Sequence, residues 1–173
     1  NVLNIGSGNG CAQTFTGQFD ELRVYNRILS VDEVREAYDY GKADKVNTAG
    51  SDPLTDGLAG YWKLDDASGT TATDSSGNSH AGTLYNSPTW GTGQVSGGVS
   101  FDGTNDYINI PSITAAQFGN TTFTFAGWIK TTGTDKYIAA QDYCNGGWGI
   151  WMDSFYKVFV GTRGAGACGS YTV

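Results

Sequence analysis

The side chains able to do chemistry are few, and their spacing excludes more than it suggests. The chain holds one histidine, His80, and three cysteines, Cys11, Cys144 and Cys168. A single imidazole without a nearby cysteine nearly excludes a zinc centre and a Ser-His or Cys-His relay. Cys144 and Cys168 both stand in Gly-rich, turn-like stretches. They are expected to form a disulfide, with Cys11 left over; three buried free thiols are the competing reading. Asn120 opens the triplet NTT, an N-glycosylation sequon that suits an extracellular surface loop. The carboxylates gather in turn-forming runs: Asp65 and Asp66 in DDASG, Asp74 and Asn78 in DSSGN, Asp102, Asn105 and Asp106 in FDGTNDY. Residues of this kind close Asx turns with their own backbone, and FDGTNDY is read as a hairpin turn.

The elements that must position these residues are short strands. The sequence contains 26 Gly, 5 Trp, 10 Tyr and 8 Phe, with only 16% charged residues. Aromatic and β-branched runs separated by Gly, Ser, Thr and Asn predict an all-β sandwich with many turns. The aromatic content supplies the apolar area that a disordered chain lacks. A net charge of −7 and a pI near 4.4 weigh against nucleic acid or an anionic membrane as partner. They suit a secreted, cation-binding surface. No apolar run reaches the ~20 residues of a membrane span, and no leader is visible, so the chain reads as a mature product or an excised piece.

Along the chain, NVLNIGS alternates Leu3 and Ile5 against Val2 and Asn4. TFTGQFDELRVYN carries Phe19, Leu22 and Val24 as inward residues around a turn at Gly17. SVDEVREAYDYG is the one helix: Ser30 and Glu33 make a capping box, Val34, Ala37 and Tyr38 an apolar face, and Gly41 the stop. Lys42 to Asp56 is a linker. Further strands follow in GLAGYWKL, GGVSFDG, DYINIPS, FTFAGWIKTT, YIAAQD, GGWGIWMD and YKVFVGTR, where Phe123, Phe125 and Trp128 compete for the core.

Two sets of motifs resemble the laminin-G-like branch of the concanavalin A-like jelly rolls. From Gly57 onward, GLAGYWKLDDASGTTATDSSGNSHAGTL, VSFDGTNDYINIP and FTFAGWIKTT look like the family's first half. LNIGSGNG and FTGQFDELRVYNRILSVDEV look like its last part. The resemblance therefore implies an ending (1–41), a linker (42–56) and a beginning lacking its closing strands (57–173). A cut across two tandem repeats leads; a permuted single domain is the rival.

What the resemblance implies about sites follows residue by residue. Asp20, in FDELRVY, takes the place of an aspartate that helps hold a structural Ca²⁺ in related jelly rolls. Asp65, Asp66, Asp74 and Asn78 would supply further oxygens towards the six to eight that Ca²⁺ takes. Tyr143, Trp148 and Trp151 stand where exposed aromatics would stack on sugars. The spacing of three puts the two tryptophans on opposite faces of a strand, so at most one can do so. No alternating acidic run of the related hydrolases is present, which argues against an enzyme. The expected function is a non-enzymatic structural or adhesive module of a tandem-repeat surface or fibre-forming protein. Its jelly rolls would be completed head-to-tail between neighbouring copies. A Ca²⁺-dependent carbohydrate-binding module of a secreted enzyme is the alternative.

Overall fold

The computed structural model describes residues 2–8, 14–40, 53–111, 113, 122–141 and 147–162. Cys11, Asn120, Tyr143, Cys144 and Cys168 lie outside the described residues, as do Gly41 and most of the linker. Within them the chain is an all-β sandwich of two antiparallel sheets with one short α-helix. The strands are β1 (Leu3–Ile5), β2 (Thr16–Tyr25), β3 (Leu58–Trp62), β4 (Thr71–Ala72), β5 (Gly82–Tyr85), β6 (Thr89–Thr92), β7 (Gly97–Asp102), β8 (Tyr107–Ile110), β9 (Thr124–Thr131), β10 (Lys136–Gln141), β11 (Trp148–Met152) and β12 (Val158–Thr162); the helix is α1 (Val31–Tyr40). None of the described helices is long and apolar enough to cross a membrane.

The first sheet runs β12-β11-β10-β1-β8-β5-β4. The second is built on β2, which pairs with β9 along one side and with β3 and β7 on the other, β6 lying beyond β7. Period-two alternation sets the faces. Leu3 and Ile5 point into the core opposite Ile110 and Ile108, while Asn4 points out beside Asn109. The second sheet contributes Phe19, Leu22, Val24, Trp62, Val99 and Phe101 to the same core.

The step from Phe19 to Leu22 breaks the alternation, and the structure explains it. Glu21 has φ of 53° and the β2–β9 register shifts between Asp20 and Arg23. One extra residue at this bulge puts Leu22 back on the inner face. The sequence predicts a turn at Gly17. Gly17 instead lies within β2, where its φ is 139° and a Cβ would come within 2.2 Å of the Lys130 carbonyl oxygen. A close strand approach, not a reversal, requires glycine there.

The capping box forms as the sequence predicts: Ser30 N donates to Glu33 Oε2 at 2.7 Å, and Glu33 N donates to Ser30 Oγ at 3.3 Å. Phe125 turns inward and Phe123 packs against the core. Trp128, expected to compete for it, lies on the outer side of β9 and stacks on Tyr38 of α1 at 5.3 Å.

The largest departure concerns the two parts of the chain. β1 pairs with β8 and β10, and β2 pairs with β3, β7 and β9. The segment assigned to another repeat, 1–41, therefore places its strands inside the sheets formed by 57–173. Leu3, Ile5, Phe19, Leu22 and Val24 are almost wholly buried there. Within one chain this pairing costs only the closure of a loop, an entropy that grows slowly with loop length.

Candidate functional site

The five residues expected to share a cation do not converge. Asp74 faces the backbone donors of its own loop and β3, together with the Ser76 hydroxyl: its Oδ1 accepts from Tyr61 N at 3.0 Å and Ser76 N at 2.9 Å, its Oδ2 from His80 N at 2.8 Å. Burial opposes its charge, but the hydrogen bonds from His80, Ser76 and Tyr61 outweigh that and hold the carboxyl below its usual range. Asn78 turns its amide NH₂ onto the Leu58 and Ala59 carbonyls. These two residues clamp the 74–80 loop against β3. Asp66 accepts from Thr73 N at 3.2 Å. The hairpin expected at FDGTNDY is not formed: β7 and β8 belong to different sheets, and Asp102 and Asp106 close a turn that carries the chain from one sheet to the other, with Thr104 N donating to Asp102 and Asp102 N to Asp106.

Asp20 and Asp65 meet the same short connection instead, the one joining β6 to β7. Asp20 Oδ2 accepts from Gln94 N and Val95 N, both at 2.7 Å, and Asp65 Oδ1 accepts from Gly97 N at 2.6 Å. Asp20 is 2% exposed, and its other oxygen has no hydrogen-bond partner. Burial, with lesser contributions from the Glu21 and Asp65 charges, pushes its carboxyl up to about 6 against the Val95 and Gln94 bonds. The bulge aims Asp20 here, because Phe19 before it and Leu22 after it both face the core. Asp20 borders a cavity of about 360 Å³ between this connection and Trp128, Ile129 and Lys130 of β9. Among the described residues no three His, Cys, Asp or Glu side chains converge as a metal-binding group. Asp20 and Asp65 are the pair from which a cation would draw carboxylate oxygens.

One residue on, Glu21 turns to a second cluster that the sequence reading did not find. Arg23 Nη2 donates to Glu21 Oε2 at 3.0 Å and to the Tyr61 hydroxyl at 2.9 Å, and that hydroxyl donates to Glu21. Burial raises the Glu21 carboxyl and the Tyr61 phenol above their ordinary values. Tyr40, at the end of α1, stacks over the guanidinium at 4.9 Å. The cluster thus seats the helix. Its sequence trace is the alternation of Glu21, Arg23 and Tyr25 in a strand whose other side is apolar.

The aromatic candidates separate as their spacing requires. Trp148 faces the interior, 4.7 Å from Phe123, and donates to Gln141 Oε1 at 3.2 Å. Trp151 is on the outer face with Tyr137, Ala140 and Phe159, and is 6% exposed. The accessible aromatic pair on that outer face is a different one: Tyr85 and Tyr107 stack at 4.9 Å across β5 and β8, with Tyr85 43% exposed. The pairing register continues that face as Thr71, Thr83, Asn109 and Asn4. The alternation in GTLY and YINI was the available signal.

The third feature is a flank that does not close. β9 and β12 end their sheets on the same side, and among the described residues each pairs along one edge only. Between them and around β9 lies an apolar cavity of about 440 Å³, touched by Phe125 and Ile129, by Ile150, Val158 and Val160, and by Val34 and Tyr38 of α1. Val160 is 65% exposed, Val158 56% and Ile129 37%. Comparison with protein-family models, with curated proteins and with solved structures gives no match.

Proposed function

We propose that the chain is a non-enzymatic, extracellular structural or adhesive module that works by associating with further copies of itself. One observation carries this reading: among the described residues the apolar interior is left open along one flank, beside strand edges of β9 and β12 that pair with no other strand. Exposed edges whose central residues carry no charge, next to uncovered apolar side chains, are features that natural β-sheets conceal unless they are used. β1 and β2 fill slots in both sheets from within the same chain, which agrees with the permuted single domain. In a tandem array the same slots would accept the same segment from a neighbour. A structural Ca²⁺ at Asp20 and Asp65 would belong to this module as a stabiliser.

A second reading rests on the outer face of the first sheet. The Tyr85–Tyr107 pair beside Thr83 and Asn109 offers aromatic and amide groups of the kind that hold a sugar chain. Light scattering and particle imaging across concentration, run beside retention on insoluble polysaccharides, separate the two. Association of the purified chain is expected. A chain that stays monomeric at every concentration and is retained by one polysaccharide overturns the structural reading in favour of carbohydrate binding.

A further inference from the structure

We propose that the open flank is a two-fold interface, in which β9 of one copy adds antiparallel to β9 of a second. This rests on the self-association proposed above and names its surface and symmetry. The slot beside β9 is apolar on both sides. A strand added there would place alternate side chains between the sheets, near Ile150, Val158 and Val160, and the others beneath α1, near Val34 and Tyr38. The occupant must therefore be apolar on both faces. β9 has that pattern: Phe125 and Ile129 on its inner side, Ala126 and Trp128 on its outer side. The middle of the strand, Phe125–Ile129, carries neither a charge nor a proline, the two devices that blunt an edge.

Symmetry strengthens the match. A two-fold axis that makes β9 antiparallel to its copy runs across the sheets, and β12 ends the other sheet on the same side. One axis can bring both edges to their copies, as an isologous interface requires. The charges agree. β9, β10, β11 and β12 contain Lys130 and Lys136 and no acidic residue, whereas α1 carries Asp32, Glu33, Glu36 and Asp39 against Arg35. If Gly127 faces its own copy, Lys130 comes opposite residue 124 of the second chain. There the Thr124 hydroxyl accepts from Leu29 N just ahead of α1. The lysine of one copy then lies near the helix start of the other, where Glu33 is held by Arg27 and the exposed Asp32, paired with Arg35 on the surface, is the carboxylate it can reach.

The test uses the full 173-residue chain, with mass measured by light scattering over a concentration series. The expected result is a plateau at twice 18.3 kDa. Val160→Lys and Ile129→Lys change exposed side chains, so each should keep its far-ultraviolet dichroism and weaken the dimer at least 10-fold. Lys130→Glu should weaken it too, and Asp32→Lys should restore it in the double variant. A dimer indifferent to all of these overturns the flank as the interface and leaves self-association standing through another surface. A mass that climbs without a plateau overturns the two-fold symmetry in favour of head-to-tail addition. A wild-type chain that remains monomeric overturns both this inference and the function on which it rests.

Discussion

Asp20 couples the bulge in β2 to the β6–β7 connection, and its burial makes it a pH-sensitive element. Burial raises its folded-state carboxyl to about 6 from an ordinary value of 3.8. The folded state therefore holds a proton that the unfolded state releases between these values. Stability from this group is full below about pH 4 and is lost as the pH rises towards 6. Asp20→Asn keeps an oxygen to accept from Gln94 and Val95. It should flatten that decline, and urea midpoints at pH 4.5 and 7.5 measure it. An unchanged wild-type slope in the variant would contradict the assignment. A bound cation favours the ionised carboxylate, so Ca²⁺ at pH 7.5 should raise the melting temperature by mass action. Excess chelator should reverse the rise, and Asp20→Asn should not show it. Arg23 is a stronger structural commitment. It is 4% exposed between Glu21 and Tyr61, and removing one partner of a buried ion pair typically costs ~3–5 kcal/mol. Arg23→Met should fall in that range by equilibrium unfolding; a loss below 1 kcal/mol, on the same scale, would mean the cluster is effectively solvated.

At the scale of elements, α1 is the least anchored. None of its residues is buried, and Val31, Val34 and Tyr38 are exposed. Its hold on the sheet comes from Tyr38 on Trp128, Tyr40 on Arg23 and the cap at Ser30. Arg27, whose two nitrogens reach Glu33, draws that carboxyl down to about 2 together with Ser30. Ser30→Ala should cost about 1 kcal/mol of helix stability. With so little packing, the loss should appear as faster amide exchange across residues 34–40 rather than as a lower global midpoint. Equal loss of protection in β2 would show instead that helix and sheet open as one unit. By contrast β2 is paired along both sides and buried from Phe19 to Tyr25.

That centrality sets the behaviour of the whole molecule. A chain lacking residues 1–25 loses β1 from the middle of one sheet and β2 from the middle of the other. It should fail to fold alone. A peptide of residues 1–41 added in trans should restore the near-ultraviolet dichroism of the sandwich. Recovery would show that the slots accept the segment from another molecule, as an array requires. A truncated chain that folds without the peptide would contradict the placement of β1 and β2. The open flank is likewise a property of the whole, since neither β9 nor β12 is unusual alone.

Local signals in the sequence determined the all-β class, the α-helix with its Ser30–Glu33 cap, the turn at 102–106 (though not that it crosses between sheets) and the inward sets Leu3/Ile5 and Phe19/Leu22/Val24. Each depends on side-chain period or on contacts within a few residues, which the order of residues already contains. The opposite faces of Trp148 and Trp151 follow from the same period. The tertiary structure decided what depends on contacts between distant segments. It joined the ending and the beginning of the motif order into shared sheets, because apolar alternation says that a strand is half buried but not which strand lies beside it. It divided the residues expected to hold a cation into a clamp at Asp74 and Asn78 and a separate pair at Asp20 and Asp65. A carboxylate serves a turn or a cation equally well until the backbone donors around it are placed. Among the described residues it left one edge of β9 and one edge of β12 without a neighbouring strand, because which strands end a sheet depends on how all of them are ordered.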